Sequence, residues 1–330
     1  MTPNDMSPPA SSVTYPLAAT TWDAAEAAAI AEVVASGRFT MGERVATFEQ
    51  MFARHLGARY AVMVNSGSSA NLLAVAALRF RQREPLRAGD EVLVPAVSWA
   101  TTYYPWTQYG LLLRFVDIDP ETLNFDLEQL EASVTDRTRA IMAVNLLGNP
   151  NDFGRLRAIA DRHELLLLED NCEGLGAEFQ QRFTGTFGLM GTFSTYFSHH
   201  ISTMEGGLVV TQDEELFHLL LSLRAHGWTR QLPQPNRVCE RGDDPFLESF
   251  RFVLPGYNVR PLEIEAAIGG RQLAKLPELI AERRRNAAIF VDRFERHEQV
   301  RIQRELGKSS WFGFSLVVRP NAAFRREDLV

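Results

Sequence analysis

Apolar residues along this chain fall into two rhythms that alternate. Residues 24–36, AAEAAAIAEVVAS, and 46–57, ATFEQMFARHLG, repeat their apolar positions at helical spacing. Each ends at a glycine, Gly37 and Gly57, the residue best suited to the left-handed turn that closes a helix. RYAVMV then reads as a strand, and SGSSANLLAVAALRF opens with turn chemistry and continues as a helix. DEVLVP, LLLRFVDID, AIMAVNLL and ELLLLED are apolar runs of buried-strand length, spaced by helical stretches such as TLNFDLEQLEASV and DFGRLRAIADRH. TFSTYF (192–197) and GGLVVTQ add two strands of the same kind. Strands alternating with helices predict an α/β fold, with a mainly parallel sheet of about seven strands covered on both faces.

Beyond about residue 225 the pattern changes. HGWTRQLPQPNRVCERGDD is polar and proline-containing, a long connection rather than an element. After it come PGYNVRPLEIEAAIGGRQLAKL, a long helix PELIAERRRNAAIFVDRFERH, and a strand in SWFGFSLVV. The expected organisation is an N-terminal leader or arm (1–22), a large domain (23–255) and a smaller C-terminal α/β domain (256–330). The last stretch, FRREDLV, reads as the first turn of a helix, so the smaller domain is expected to be incomplete.

Composition narrows the function. The chain has 330 residues, 45% hydrophobic and 23% charged, enough for a sizeable core. A net charge of -7 and a pI near 5.6 argue against nucleic acid as the main partner. No apolar run approaches the roughly 20 residues needed to span a bilayer, and MTPNDMSPPASS lacks a signal pattern, so a cytoplasmic protein is expected. Cys172 and Cys239 are the only cysteines, too few for a disulfide scaffold or a four-thiolate metal cluster. Of 34 basic residues only two, Lys275 and Lys308, are lysines. Any mechanism that needs a catalytic lysine must use one of them.

Four stretches carry candidate chemistry. NSGSSAN (65–71) places Gly67, Ser68 and Ser69 at a strand-to-helix turn, where free N–H groups suit a phosphate and where an ordinary N-capped helix would look the same. LLLLEDNCEGLGA (165–177) puts Asp170 at a strand's carboxyl end, able to hold a protonated ring nitrogen or merely to cap a turn, with Glu173 close behind. Trp99, past the strand DEVLVP, fits either a stacking platform for a flat ligand or the core. GTFSTYFSHHISTMEGG carries Ser194 and the pair His199–His200. No further ligands at metal spacing accompany the pair, so no metal is expected; one histidine suffices as a general acid and base.

In this order the motifs resemble the DegT/DnrJ/EryC1/StrS family of sugar aminotransferases, over about residues 14–330. LPGYNVRPLEIEAA extends the match. The resemblance implies the aspartate-aminotransferase-like fold and a pyridoxal 5'-phosphate / pyridoxamine 5'-phosphate cofactor. In typical members a lysine stands where this chain has His199, and forms a Schiff base with the cofactor. Neither Lys275 nor Lys308 lies in a matching context. The chain is similar instead to a histidine branch of the family that removes the C3 hydroxyl of nucleotide-linked 4-keto-6-deoxy sugars, with L-glutamate as amine donor, in colitose-type dideoxysugar synthesis. GDP-4-keto-6-deoxy-D-mannose is the substrate the likeness implies. The other histidine branch carries an iron–sulfur cluster, for which two cysteines do not suffice.

By position, the resemblance implies His199 as acid and base, Asp170 as partner of the ring nitrogen, and Trp99 stacked on the ring. Gly67, Ser68 and Ser194 would contact the phosphate, and Glu173 would lie near the ring hydroxyl. Asn258 would reach the phosphate from the other subunit of a homodimer, and His200 is expected to be structural. An ordinary sugar aminotransferase and a non-catalytic binding protein with this fold stand as the alternatives.

Overall fold

The computed structural model describes residues 19–329, so most of the expected N-terminal arm lies outside the described residues. The chain runs α1 (Ala24–Ser36), α2 (Glu43–Leu56), β1 (Tyr60–Val64), α3 (Gly67–Phe80), β2 (Glu91–Pro95), α4 (Ala100–Gln108), β3 (Leu112–Val116), α5 (Leu127–Ala132), β4 (Thr138–Val144), α6 (Phe153–Arg162) and β5 (Leu166–Asp170). A small pair, β6 (Glu178–Phe179) and β7 (Arg182–Phe183), precedes β8 (Met190–Ser194), β9 (Gly207–Thr211), α7 (Glu214–Leu223) and α8 (Pro245–Ser249). The long α9 (Glu263–Phe294) and a short pair, β10 (Val300–Arg301) and β11 (Val317–Val318), complete the order.

Seven strands form one sheet in the order β1-β9-β8-β5-β4-β2-β3. Pairing is parallel from β3 through β8, and only β9 runs against its two neighbours. Apart from the edge strand β3, which stays largely exposed, the strands are buried almost throughout because both faces are covered. Leu73, Leu78 and Trp106 pack on one face with Leu220 and Leu223 of α7. Phe48, Phe52, Phe193, Leu273 and Ile280 pack on the other, joining α2 and α9 to the sheet. Each such buried side chain contributes about 1.5–3 kcal/mol relative to exposure. Both glycines expected to end helices do so, with φ of 64° at Gly37 and 69° at Gly57.

Three expectations need correction. The strand foreseen over 192–197 stops at Ser194, where the chain enters a closed turn. The two segments foreseen around Pro277 are one helix, with Pro277 inside it. Proline costs that helix one backbone hydrogen bond, and Leu273, Leu276 and Ile280 pack across the site without interruption. In SWFGFSLVV only Val317–Val318 is strand. The rest is irregular, with Trp311 at φ 50°, because its backbone bonds to a turn of the large sheet's edge rather than to a neighbouring strand.

Candidate active site

β1, β2, β5 and β8 all deliver their carboxyl ends to one edge of the sheet, where ligands bind in parallel α/β folds. From β1 the chain turns directly into α3. Ser66 caps that helix by accepting from the Ser69 N–H at 3.1 Å. A Cβ on Gly67 would lie 2.6 Å from Ser194 Cβ and 2.9 Å from Cys172 Sγ. Only glycine lets the start of α3 sit this close to the ends of β5 and β8. Gly207, opening β9, is confined the same way, since its Cβ would fall 2.3 Å from the Ser66 carbonyl oxygen. Gly67, Ser194 and the GG turn are thus one cradle, and the Ser68 hydroxyl, 2.8 Å from Thr101 Oγ1, continues it to the start of α4.

Trp99 is the residue before α4 and is 75% exposed, so its indole is not core and is available as a platform. Its carbonyl accepts from the Thr102 N–H, which ties the platform to the next feature. Asp170 is buried at the end of β5. Its Oδ2 accepts from Asn71 Nδ2 and from Thr102 Oγ1, both at 2.8 Å, and its Oδ1 accepts from the Cys172 N–H at 3.1 Å. The Asn71 carbonyl oxygen in turn accepts from Thr192 Oγ1 at 2.6 Å, which fixes the amide's direction. Oδ1 keeps capacity for a further donor. Asn71 and Thr102 were not assigned a role from sequence. Asn71 stands in the SGSSAN motif one helical turn after Gly67, and that spacing was the available signal.

After Ser194 the chain closes on itself: the Thr203 N–H reaches the Thr195 carbonyl at 2.8 Å, and Thr195 N–H the Gly206 carbonyl at 2.9 Å. The histidine pair projects from this closed turn. The His199 ring is 4.9 Å from Phe312 and 5.9 Å from Tyr196, edge to face with both, and its Nδ1 is buried without a partner. Burial lowers its pKa to about 4; nearby Asp170 opposes this and Arg283 assists it. His200 is fully buried, with Nε2 3.3 Å from the Ser310 carbonyl. A carbonyl only accepts, so Nε2 carries the proton and the unpartnered Nδ1 the lone pair. Burial also holds His200 well below the usual histidine range.

Glu173 accepts from the Leu147 N–H at 2.7 Å, and burial beside Asp170 raises its pKa. Asn258 stands apart from this hydrogen-bond network: it is exposed and accepts from Arg260 Nε at 3.1 Å. Both lysines are engaged elsewhere. Lys275 pairs with Glu26 at 2.7 Å and Asp23 at 2.9 Å, and Lys308 with Glu178 at 3.2 Å. No group of three or more potential metal ligands gathers among the described residues, and no described helix is long and apolar enough to cross a membrane.

The donor set fits a phosphorylated heteroaromatic cofactor. The start of α3, where free N–H groups favour an anion, shares the edge with an exposed indole and a buried carboxylate whose Oδ2 already accepts two hydrogen bonds.

The sequence pattern of the DegT/DnrJ/EryC1/StrS aminotransferase family matches residues 20–330. The GDP-4-keto-6-deoxy-D-mannose 3-dehydratase of Escherichia coli O55:H7 is 56% identical over 319 residues, 96% of this chain and 82% of that protein. The enzyme of the same name from Yersinia pseudotuberculosis is 55% identical over 96% of this chain and 81% of its own length. The E. coli enzyme solved with bound hydrated PLP superposes with a TM-score of 0.94 at 56% identity, covering 96% of this chain and 82% of that one. The fold is therefore that of the PLP-dependent aminotransferases, as the motif order implied.

Proposed function

Because the chain belongs to the DegT/DnrJ/EryC1/StrS aminotransferase family, we propose that it removes the C3 hydroxyl of GDP-4-keto-6-deoxy-D-mannose, using pyridoxal 5'-phosphate / pyridoxamine 5'-phosphate and L-glutamate. The observation that carries this reading is His199. By the resemblance, a half-buried imidazole with a buried Nδ1 takes the place of the family's lysine, at the edge that also carries Asp170, Trp99, Gly67 and Ser194, and both lysines are paired elsewhere.

When bound, the cofactor supplies an amine for the sugar ketone and a ring that accepts electron density from the reacting carbon. Gly67, Ser68 and Ser194 would hold the phosphate at the start of α3, where N–H groups and the helix dipole favour an anion. Trp99 would cover one face of the ring. Asp170, kept in place by Asn71 and Thr102, would keep the ring nitrogen protonated. An imidazole forms no covalent link of the lysine kind, so these contacts alone would retain the cofactor.

His199 moves the proton. With a pKa of about 4 it is neutral at pH 7, so it accepts a proton readily only from an acidified carbon. Once charged in that partly desolvated position it is a strong acid, and it would pass the proton to the departing C3 hydroxyl, which leaves as water. The same desolvation that weakens the base therefore strengthens the acid.

The active form in this reading is a cytoplasmic homodimer, with Asn258 exposed as its proposed role toward the other subunit's phosphate requires. Mass spectrometry of GDP-4-keto-6-deoxy-D-mannose incubated with the protein, pyridoxal phosphate and glutamate tests it. A product one oxygen lighter, released with ammonia, is expected. A product carrying nitrogen would mean transamination and would overturn the reading.

A further inference from the structure

His199 is positioned by a segment more than one hundred residues away in the chain. Residues 308–312 lie across the turn at Leu147–Gly148, held at every step. The Lys308 N–H bonds the Glu178 carbonyl at 2.7 Å, the Ser310 N–H bonds the Gly148 carbonyl at 3.0 Å, and the Phe312 N–H bonds the Leu147 carbonyl at 3.0 Å. From α9, Arg283 Nη1 donates to the Trp311 and Phe312 carbonyls at 3.1 and 3.2 Å, and Arg284 Nε to the Ser309 carbonyl at 3.0 Å. Gly148 sits at φ 84°, and a Cβ there would meet Ser310 Oγ at 2.5 Å and the Trp311 nitrogen at 2.9 Å. The segment therefore has one seat. In that seat it presents the Phe312 ring to both histidines, at 4.9 Å from His199 and 5.6 Å from His200.

We propose that Phe312 and His200 are positioning residues for His199: His200 anchors the 309–312 segment through the Ser310 carbonyl, and Phe312 fixes the His199 ring and keeps water from it. His200 then stands beside the proton carrier because its backbone bond places the wall. With both Nδ1 atoms buried and unpartnered, neither imidazole ring has a hydrogen bond at that atom to hold it. Aromatic packing must orient the His199 ring instead. The charged and titratable groups facing His199 are Asp170 from β5, Arg283 from α9 and its neighbour His200, so removal of the phenyl ring alters solvent access while leaving those charges in place.

The inference rests on His199 as the proton carrier, and the test separates the two. NMR would follow the His199 ring protons through a pH titration of the full chain carrying pyridoxal phosphate, in the parent, Phe312→Ala and Phe312→Leu. Turnover and KM for the GDP-sugar would be measured on the same samples. In Phe312→Ala the His199 midpoint is expected to rise toward the ordinary histidine value and kcat to fall about tenfold or more, with KM and cofactor loading little changed. Phe312→Leu, which keeps an apolar cover, should restore most of both. An unchanged midpoint and kcat in folded, loaded Phe312→Ala overturns the proposal. So does equal loss in both variants with matching loss of thermal stability, which would make the wall a packing element only. Retained 3-deoxygenation in His199→Asn would instead overturn the role of His199 itself.

Discussion

Asp170 and His199 share one crevice and meet opposite requirements. Asp170 is a buried carboxylate surrounded by donors: an amide, a hydroxyl and a backbone N–H all point at it. Such an environment is built to hold a charge. His199 is flanked by the rings of Tyr196 and Phe312 and leaves Nδ1 buried without a partner. That environment is built to refuse a charge. In the proposed reading, one edge of one sheet would thus hold one group among hydrogen-bond donors and leave its neighbour to charge only in passing.

The comparison breaks most completely if the passing charge is removed. His199→Asn should lower turnover by about 10²- to 10⁴-fold, the range expected for loss of a general acid and base. Cofactor affinity should change little, since no covalent link is lost. Product analysis by mass spectrometry, together with equilibrium dialysis of pyridoxal phosphate, measures both. Turnover within threefold of the parent would place the proton transfer on another group.

The Asp170 half is sharpened next. Asn71→Ala and Thr102→Val each remove one donor from Asp170 Oδ2, a charge-assisted bond worth about 1.5–3 kcal/mol. Cofactor affinity should fall by about 10- to 100-fold for each. Asn71→Asp is the more telling change, because it sets a second carboxylate against the first and should be worse than Ala. Dialysis showing Asp as good as Asn would mean that Asn71 does not orient the charge.

These two halves of the site differ in how far the sequence disclosed them. The region around Asp170 was largely legible, because strand ends, the SGSSAN turn and the EDNCEG turn are local patterns that a parallel sheet brings to one edge. The seven strands followed from apolar runs for the same reason. Asn71 was within a motif already singled out, and only its direction was unreadable. The surroundings of His199 were not legible. Phe312 and Arg283 lie on segments 113 and 84 residues away in number, and no local rhythm links them to residue 199. The strand expected across 310–318 failed for the same cause: its backbone partners are the turn at Leu147–Gly148, which periodicity does not reveal. The scarcity of lysine was the one global feature that pointed at His199.

A smaller effect tests the exclusion of lysine. Lys275→Met should leave turnover per folded molecule unchanged, because Lys275 serves Glu26 and Asp23 at the α1–α9 contact. Glu26 is fully buried, so loss of its partner should lower stability by about 1–3 kcal/mol, read as the midpoint of urea unfolding. Loss of turnover in a fully folded sample would return a lysine to the chemistry.

The last effect is small within any one pH unit and is read as a difference, and it measures the refused charge directly. Desolvation puts the folded-state pKa of His199 below the ordinary histidine value of 6.5, at about 4. Below pH 6.5 the unfolded chain takes up a proton that the folded one declines. The contribution of His199 to stability is therefore complete above 6.5 and is lost as pH falls toward 4, by about 1.4 kcal/mol per pH unit at the steepest. Glu173, raised by burial, and Glu265, raised to about 7, have the opposite sign: their stabilising protonation is lost as pH rises through the same range. The total pH profile mixes these, so the slope of the parent alone decides nothing. Subtracting the profile of His199→Asn removes the carboxylates, which both proteins share. Between pH 6.5 and 4 the parent should lose stability relative to the variant, by at most about 1.4 kcal/mol per pH unit, and lose no more below 4. A flat difference would mean that His199 ionises as freely folded as unfolded, and that the aromatic wall leaves the proton carrier in contact with water.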